Sequence, residues 1–169
     1  MSHSSKEFKP LNIAVLTISD TRTIETDTSG QFLVDALIAA GHKLHERAIV
    51  IDDPYKIRAL VSKWIAEETC QVVISTGGTG FSDRDFTPQA IIPLLDKNIE
   101  GFGELFRSIS HEEIGTSTVQ SRAVAGMANH TAVFCLPGST GACRTGWNKI
   151  LEEQLDSRHK PCNFVMHLG

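Results

Sequence analysis

The chain has 169 residues, of which 41% are hydrophobic and 21% are charged, and it carries a formal net charge of −4. This length and composition are typical of one ordinary globular domain. The acidic balance argues against a nucleic-acid-binding surface, and no apolar run approaches the roughly 20 residues of a membrane helix. We therefore expect a single domain that binds neither nucleic acid nor a membrane.

The N-terminus and the cysteines indicate the compartment. Residues 1–10 contain serine, lysine and glutamate without an apolar core, so we predict a flexible segment rather than a secretory signal, followed by one domain over residues 11–169. The cysteines form no Cys-x-x-Cys pair, which argues against both a zinc site and a disulfide framework. We expect reduced thiols and a cytoplasmic protein.

The first half of the chain alternates between short β-branched runs and segments with apolar residues at helical spacing. Gly41 marks the end of the first helix, and Asp53 followed by Pro54 marks the start of the second. We predict strands over residues 12–19, 42–51 and 72–76, and helices over residues 28–40 and 54–67. This alternation predicts an α/β fold with a mostly parallel sheet.

The second half is less regular. Residues 122–128 and 131–136 are separated by Asn129 and His130, which indicates a β-hairpin. We predict helices over residues 87–95, beginning at a Thr87-Pro88 cap, over residues 101–110 and over residues 141–155.

The strongest local signal for function is a glycine-rich loop, Ser75-Thr76-Gly77-Gly78-Thr79-Gly80, directly after the third predicted strand. Open α/β sheets place their ligand crevices at this position. Glycines let a ligand approach the backbone, and threonine hydroxyls beside exposed amides form an anion cradle, so we predict a phosphate site. The alternative is a turn that binds nothing. The loop matches neither the P-loop nor the dinucleotide-binding pattern.

Asp83-Arg84-Asp85 follows the loop directly. Its two carboxylates would repel a phosphate bound to the loop. Two like unit charges about 4 Å apart cost roughly 4 kcal/mol at an effective dielectric of about 20, so a cation must offset the carboxylates if phosphate binds here. The candidates are Arg84, the helix that starts at Thr87, and a magnesium ion, which we favour. Asp85 and Asp53 have an alternative reading as solvated acids or helix caps.

Two further polar segments are candidates for the same site. Residues 136–140 (LPGST) also follow an apolar strand and precede a helix, as the glycine-rich loop does. Residues 115–122 (GTSTVQSR) combine hydroxyl groups with one arginine, which suits hydrogen bonding to a phosphate or a heterocycle. The seven histidines show no metal-ligand spacing, so we assign none of them to a site.

Four segments occur in an order that resembles a known family: TGGTGFSDRDFTPQA, EGFGELFR, GTSTVQSRAVAGMA and LPGSTGACRTGW. Together they resemble the molybdopterin-binding family of molybdenum cofactor biosynthesis. The closing residues 160–164 (KPCNF) favour its protein B branch over the molybdopterin adenylyltransferase branch. The resemblance covers nearly the whole chain.

The resemblance implies a three-layer αβα sandwich that assembles as a homotrimer or, by pairing of trimers, a homohexamer. It implies binding of molybdopterin and, in adenylylating relatives, transfer of AMP from ATP with Mg²⁺. Asp53 and Asp85 match the family's two catalytic, metal-holding aspartates, although Asp52 competes with Asp53 for the first position. The matched ligand-binding residues are Ser19, Asp20, Thr76, Gly77, Gly78, Thr79, Gly80, Ser117, Ser121, Arg122, Pro137, Gly138 and Ser139.

One residue departs from the pattern. Many relatives carry an acidic residue where this chain has Gln89, which removes a potential charge near the metal. Two functional hypotheses therefore stay open: a magnesium-dependent molybdopterin adenylyltransferase, and a non-catalytic molybdopterin carrier that serves other proteins of the same pathway. A purely structural role for the loops is the third and weakest reading.

Overall fold

A computed structural model describes residues 4–169, which form one mixed sheet with helices on both faces. Its strands are β1 (Asn12–Ile18), β2 (Lys43–Val50), β3 (Val72–Thr76), β4 (Lys97–Asn98), β5 (Val124–Ala128) and β6 (Thr131–Leu136). Its helices are α1 (Thr28–Ala39), α2 (Pro54–Ala66), α3 (Thr87–Ile91), α4 (Glu100–Ile114), α5 (Thr140–Gly146) and α6 (Glu152–Gln154).

The sheet has the strand order β2-β1-β3-β6-β5-β4. Strands β2, β1, β3 and β6 are parallel, whereas β5 and β4 run antiparallel to their neighbours. Every residue of β3 and β6 is buried, as expected for apolar strands covered on both faces. The predicted mostly parallel sheet is confirmed.

Helices cover both faces of this sheet and divide the core in two. Side chains of α1, α4 and α5 pack on one face, around Leu33, Phe106 and Cys143. Side chains of α2 and α3 pack on the other, around Trp64 and Ile91. The predicted three-layer αβα sandwich is therefore confirmed.

The hairpin forms as predicted, with both turn residues in the left-handed region (Asn129 φ 48°, His130 φ 63°). Such a turn matches the twist of the flanking strands. The edge strand β4 was not predicted, because it consists only of Lys97 and Asn98, paired with Met127 and Gly126 of β5. A strand of two residues is too short to show the alternation of apolar and polar side chains from which strands are predicted.

Three helices differ in extent from their predictions. Helix α3 ends at Ile91 and passes into a 3₁₀ turn (Ile92–Leu94), and α4 extends to Ile114. The last predicted helix is divided between α5 and α6 by a π-helical turn (Trp147–Leu151). Thr87 does not cap α3, because its hydroxyl donates to the Gly77 carbonyl instead.

The described N-terminal residues contact the C-terminal part of the chain. The Ser5 amide donates to the Ser157 carbonyl oxygen at 2.6 Å, and the Lys9 amide donates to the Ser157 hydroxyl at 2.9 Å. The predicted flexibility of residues 1–10 stays a prediction, and residues 1–3 lie outside the described range. None of the helices in residues 4–169 has the length and apolar character needed to cross a membrane.

Candidate functional site

A cleft of about 620 Å³ lies where β1, β3 and β6 end. Its walls come from four stretches of chain: residues 17–22 at the end of β1, residues 76–85 at the end of β3, residues 137–142 after β6, and residues 106–121 from α4 and the 3₁₀ turn that follows it. The glycine-rich loop, the residue 137–139 loop and the hydroxyl-rich segment therefore meet at one site, as the sequence predicted.

Thr87 holds the first half of the glycine-rich loop by its carbonyl groups. The Thr87 hydroxyl donates to the Gly77 carbonyl at 2.8 Å, and the Thr87 amide donates to the Gly78 carbonyl at 2.9 Å. Thr87 is fully buried, so these bonds lie beneath the loop and away from solvent.

Arg122 holds the second half of the loop in the same way. Its amide donates to the Thr79 carbonyl at 3.1 Å, and its guanidinium donates to the Gly80 carbonyl at 2.6 and 2.9 Å and to the Asp85 carbonyl at 3.0 Å. The guanidinium also lies 5.0 Å from the centre of the Phe81 ring. Arg122 thus fastens the loop from outside and is not itself a residue of the cleft lining.

The amide side of the loop is left available. Within residues 4–169, the amides of Gly78, Thr79 and Gly80 donate to no acceptor, although the carbonyls of all three residues accept hydrogen bonds. All three residues line the cleft. Successive free amides with tethered carbonyls form a concave anion-binding site.

Two glycines of the glycine-rich loop, Gly77 and Gly78, cannot be replaced without strain. Gly77 has φ +105°, and a Cβ atom there would fall against the carbonyl oxygen of Ile18, closer than real Cβ atoms approach. Gly78 has φ +71°, and its Cβ would meet the Thr87 hydroxyl and Asp52 Oδ2. The loop therefore requires glycine both for its dihedral angles and for its close packing.

The residue 137–139 loop packs directly against the glycine-rich loop. The Thr76 hydroxyl donates to the Pro137 carbonyl at 2.9 Å, and the Gly77 amide donates to the Leu136 carbonyl at 3.0 Å. A Cβ on Gly138 would lie 3.4 Å from the Gly77 Cα. The Ser139 hydroxyl caps α5. All of the predicted residues in both loops line the cleft.

The structure separates the two predicted catalytic aspartates. Asp85 lines the cleft, with Oδ2 accepting from the Ser82 amide at 2.8 Å. Asp53 does not line it: its Oδ1 caps α2 by accepting from the Tyr55 and Lys56 amides at 2.8 and 3.1 Å. The catalytic role of both residues stays a prediction. In the structure Asp53 caps α2, which is the alternative role that the sequence left open.

Asp52 is the acid that reaches the loop from the end of β2. It is 5% exposed, its Oδ1 accepts from the Phe86 amide at 3.0 Å, and its own amide donates to Asp20 Oδ1 at 3.0 Å. Burial raises the pKa of the Asp52 carboxyl, and the nearby Asp85 and Asp20 carboxylates add to this effect.

Arg84, a candidate cation for a ligand, is paired with an acid in the structure. Its guanidinium forms a bidentate pair with Asp20, with nitrogen–oxygen distances of 2.9 and 3.0 Å. The hydrogen bonds from Arg84 and from the Asp52 amide lower the pKa of Asp20 to about 2. Asp20 lies outside the cleft lining, whereas Ser19, Ser117 and Ser121 belong to it.

The cleft also contains residues that the sequence did not single out. Phe106 and Ile114 supply an apolar wall from α4, Gln120 adds an amide group, and Arg22 is the sole basic residue among those that line the described cleft. Phe106 falls within the predicted helix over residues 101–110, which the sequence did not link to the site, and nothing local distinguished Arg22 from a surface arginine.

The acids near the loop allow only a limited magnesium site. Residues 4–169 contain no group of three or more histidine, cysteine, aspartate or glutamate side chains placed to hold a metal ion. Mg²⁺ is commonly held by one or two carboxylates together with phosphate oxygens of the substrate. Asp85 and Asp52, whose Oδ2 atoms lie beside Gly80 and Gly78, fit that arrangement better than Asp53 does.

The fold and the cleft together define an α/β domain with a cleft at the ends of parallel strands, lined by loop amides that have no acceptor in residues 4–169. Residues 14–157 match the family described as "probable molybdopterin binding domain". The chain belongs to this family, and the resemblance found in its sequence motifs is confirmed.

Individual relatives are similar over almost their whole length. Molybdenum cofactor biosynthesis protein B of Escherichia coli is 56% identical over 168 residues, covering 99% of each chain. A crystal structure of a molybdenum cofactor biosynthesis protein B superposes with a TM-score of 0.84 and 47% identity, covering 87% of this chain and 92% of the other. The tungsten cofactor synthesizing protein MoaB from Pyrococcus furiosus superposes with a TM-score of 0.75 and 36% identity, covering 86% and 92%.

Proposed function

We propose that this chain acts in molybdenum cofactor biosynthesis by binding molybdopterin in the cleft, with the phosphate of the pterin on the free amides of Gly78, Thr79 and Gly80. The observation that carries this proposal is the loop itself, whose carbonyls are tied down by Thr87 and Arg122 while its amides have no acceptor. An anion is the ligand that such a row of donors selects.

The rest of the cleft suits the remainder of this ligand. Its volume of about 620 Å³ lies within the range of small-molecule sites, roughly 300 to 1,000 Å³. Phe106 and Ile114 offer an apolar wall for a ring system, and Ser117, Gln120 and Ser121 offer hydrogen bonds to its polar edges. A phosphorylated pterin needs both kinds of contact.

The reaction we propose is adenylyl transfer. A phosphate oxygen of molybdopterin attacks the α-phosphorus of ATP, a phosphorus–oxygen bond forms, and the bond to the leaving pyrophosphate breaks. Bound Mg²⁺ would offset the charge of the phosphate oxygens. The loop amides hold the attacking phosphate, and Asp85 at the cleft wall is positioned to help orient a cation beside it.

A second candidate is a carrier that binds molybdopterin without transferring AMP. The observation that favours it is the position of Asp53, which caps α2 and lies outside the cleft, so that only one of the two predicted metal-holding aspartates lines the cleft. Gln89, the departure from the family pattern, is exposed on α3 and does not line the cleft. The two candidates differ in whether AMP is transferred to molybdopterin, so an assay for the adenylylated product distinguishes them.

The assembly and location follow the same family expectation. We propose a homotrimer or a homohexamer built from two trimers, in the cytoplasm, which passes its product to other proteins of molybdenum cofactor biosynthesis. Light scattering of the purified protein measures this directly: a mass of three or six chains of 18.5 kDa supports the proposal, and a monomer contradicts it.

The function is tested by incubating the purified protein with molybdopterin, ATP and Mg²⁺ and measuring the adenylylated product by mass. Asp85→Ala is compared with Asp83→Ala, an exposed neighbour that has no polar contact in the described chain. Product from the wild type and from Asp83→Ala, but not from Asp85→Ala, supports the transferase. Binding without product leaves the carrier, and absence of binding rejects both candidates.

A further inference from the structure

A phosphate held on amides beside Asp85 needs a positive charge nearby, and two of the three arginines around the cleft are already engaged. Arg84 is paired bidentately with Asp20. The guanidinium of Arg122 donates to carbonyls on the outside of the loop. The remaining arginine, Arg22, lines the cleft itself.

The turn after β1 fixes the backbone of Arg22. The Ser19 hydroxyl oxygen accepts from the amides of Thr21 and Arg22, at 3.2 and 3.1 Å. At the tip of the side chain, one guanidinium nitrogen, Nη1, donates to the Ser29 hydroxyl at 2.9 Å, and Ser29 in turn donates to the Gly138 carbonyl at 2.8 Å. One end of the guanidinium is therefore anchored to the wall of the cleft.

The other end of the guanidinium is free. Within residues 4–169, Nε and Nη2 of Arg22 donate to no acceptor, and the side chain is 31% exposed. A planar guanidinium held at one nitrogen presents its remaining N–H groups in a fixed direction, which suits recognition of a phosphate.

Asp27 is not the main partner of the Arg22 guanidinium, because the Asp27 carboxylate has closer partners. Asp27 is completely buried and accepts from the Thr17 hydroxyl at 2.6 Å and from the Gly30 amide at 2.9 Å. Arg47 forms its closer ion pair, at 3.2 Å, whereas Arg22 Nη1 lies 3.5 Å away. Two arginines thus flank one carboxylate, and Arg22 is the more distant of the two.

We propose that Arg22 is the cationic contact for the phosphate ligand of this cleft. The inference rests on the proposed function, and it adds a residue that neither the motifs nor the loop geometry indicated. Arg22 sets the preference of the cleft for a phosphorylated over an unphosphorylated ligand: its free N–H groups meet the phosphate oxygens, and its charge offsets Asp85.

The test is calorimetric titration of inorganic pyrophosphate into the wild type and three variants. Arg22→Gln removes the charge, and Arg22→Lys keeps it without the guanidinium fork. Arg144→Gln is the matched control, because Arg144 is an exposed arginine that lies over the Phe32 ring and outside the cleft. We expect Arg22→Gln to weaken binding about 10- to 100-fold, Arg22→Lys to weaken it less, and the control to bind as the wild type does.

A second titration separates a ligand contact from a structural effect. Molybdopterin and molybdopterin stripped of its phosphate are each titrated into the wild type and into Arg22→Gln, whose folding is checked by thermal unfolding. The loss of affinity should be confined to the phosphorylated ligand. An equal loss for both ligands, or pyrophosphate binding by Arg22→Gln within about twofold of the wild type, overturns the role of Arg22.

These outcomes distinguish the inference from the proposed function. Molybdopterin binding that does not depend on Arg22 leaves the proposed function standing and rejects the inference. If the protein binds pyrophosphate through Arg22 but does not bind molybdopterin, the inference stands and the proposed function is rejected. A wild type that binds neither ligand overturns both.

Discussion

Replacing Gly77 by alanine perturbs the glycine-rich loop at the point where it leaves β3. Gly77 has φ +105°, and the added Cβ would collide with the backbone carbonyl oxygen of Ile18 at the end of β1. A left-handed conformation costs an L-residue about 1–2 kcal/mol, and overpacking a rigid site costs about 1–3 kcal/mol more. Because a backbone oxygen in a buried strand cannot rotate away, we expect Gly77→Ala to lower the free energy of unfolding by about 2–5 kcal/mol.

Two other glycines provide matched controls. Gly115 has φ +62° and ψ −143° but open space around its Cβ position, so Gly115→Ala should show the cost of an unfavourable backbone conformation alone, about 1–3 kcal/mol. Gly101 lies in α4 with no positive φ and no atom within 4 Å of the Cβ position. Gly101→Ala should therefore be neutral or stabilise by up to about 1 kcal/mol.

The assay is urea unfolding followed by circular dichroism, with pyrophosphate titration of each folded variant. Gly77→Ala should be the least stable of the three, and it should also bind pyrophosphate more weakly, because the displaced loop no longer presents its amides together. If Gly77→Ala is no less stable than Gly115→Ala, the contact with Ile18 is not rigid and the steric argument for this loop is wrong.

Three further predictions concern other parts of the chain. Arg122→Lys should reduce pyrophosphate affinity about tenfold, because lysine cannot replace the paired bonds to the Gly80 carbonyl; unchanged affinity in titration would refute the role of Arg122 in holding the loop. Burial lowers the pKa of His42, whose Nδ1 accepts from the Leu11 amide, so its contribution to stability is present above its ordinary pKa of 6.5 and lost below it. Thermal unfolding between pH 8 and pH 5.5 should show a steeper loss for the wild type than for His42→Asn, by at most about 1.4 kcal/mol per pH unit, and equal losses would contradict this. Asp53→Ala should cost about 1 kcal/mol of stability through loss of the α2 cap and leave pyrophosphate binding intact, whereas lost binding would place Asp53 in the site.

The elements that the sequence predicted well are those whose signal is local. Strand β3 is a run of apolar and β-branched residues, and the start of α2 combines a capping aspartate with Pro54. The glycine-rich loop was predicted because its composition and its place after a strand belong to the same short stretch. In contrast, β4 exists only because Lys97 and Asn98 pair with β5, and no pattern in two residues reveals such pairing.

The parts of the site that were missed depend on contacts between distant segments. Arg84 was a candidate cation for the ligand, yet it is engaged by Asp20, which lies 64 residues earlier in the chain. Arg22 has no local signal, since its importance depends on Asp27 being satisfied by Arg47 from β2. Asp52 and Asp53 are adjacent and chemically alike, and only the fold decides which of them reaches the loop.

The most direct test of the central claim is a crystal structure of the protein with molybdopterin bound. The account predicts phosphate oxygens about 3 Å from the amide nitrogens of Gly78, Thr79 and Gly80. It also predicts that the pterin ring packs along Phe106 and Ile114. A phosphate bound elsewhere, with these three amides facing only water, would contradict the account.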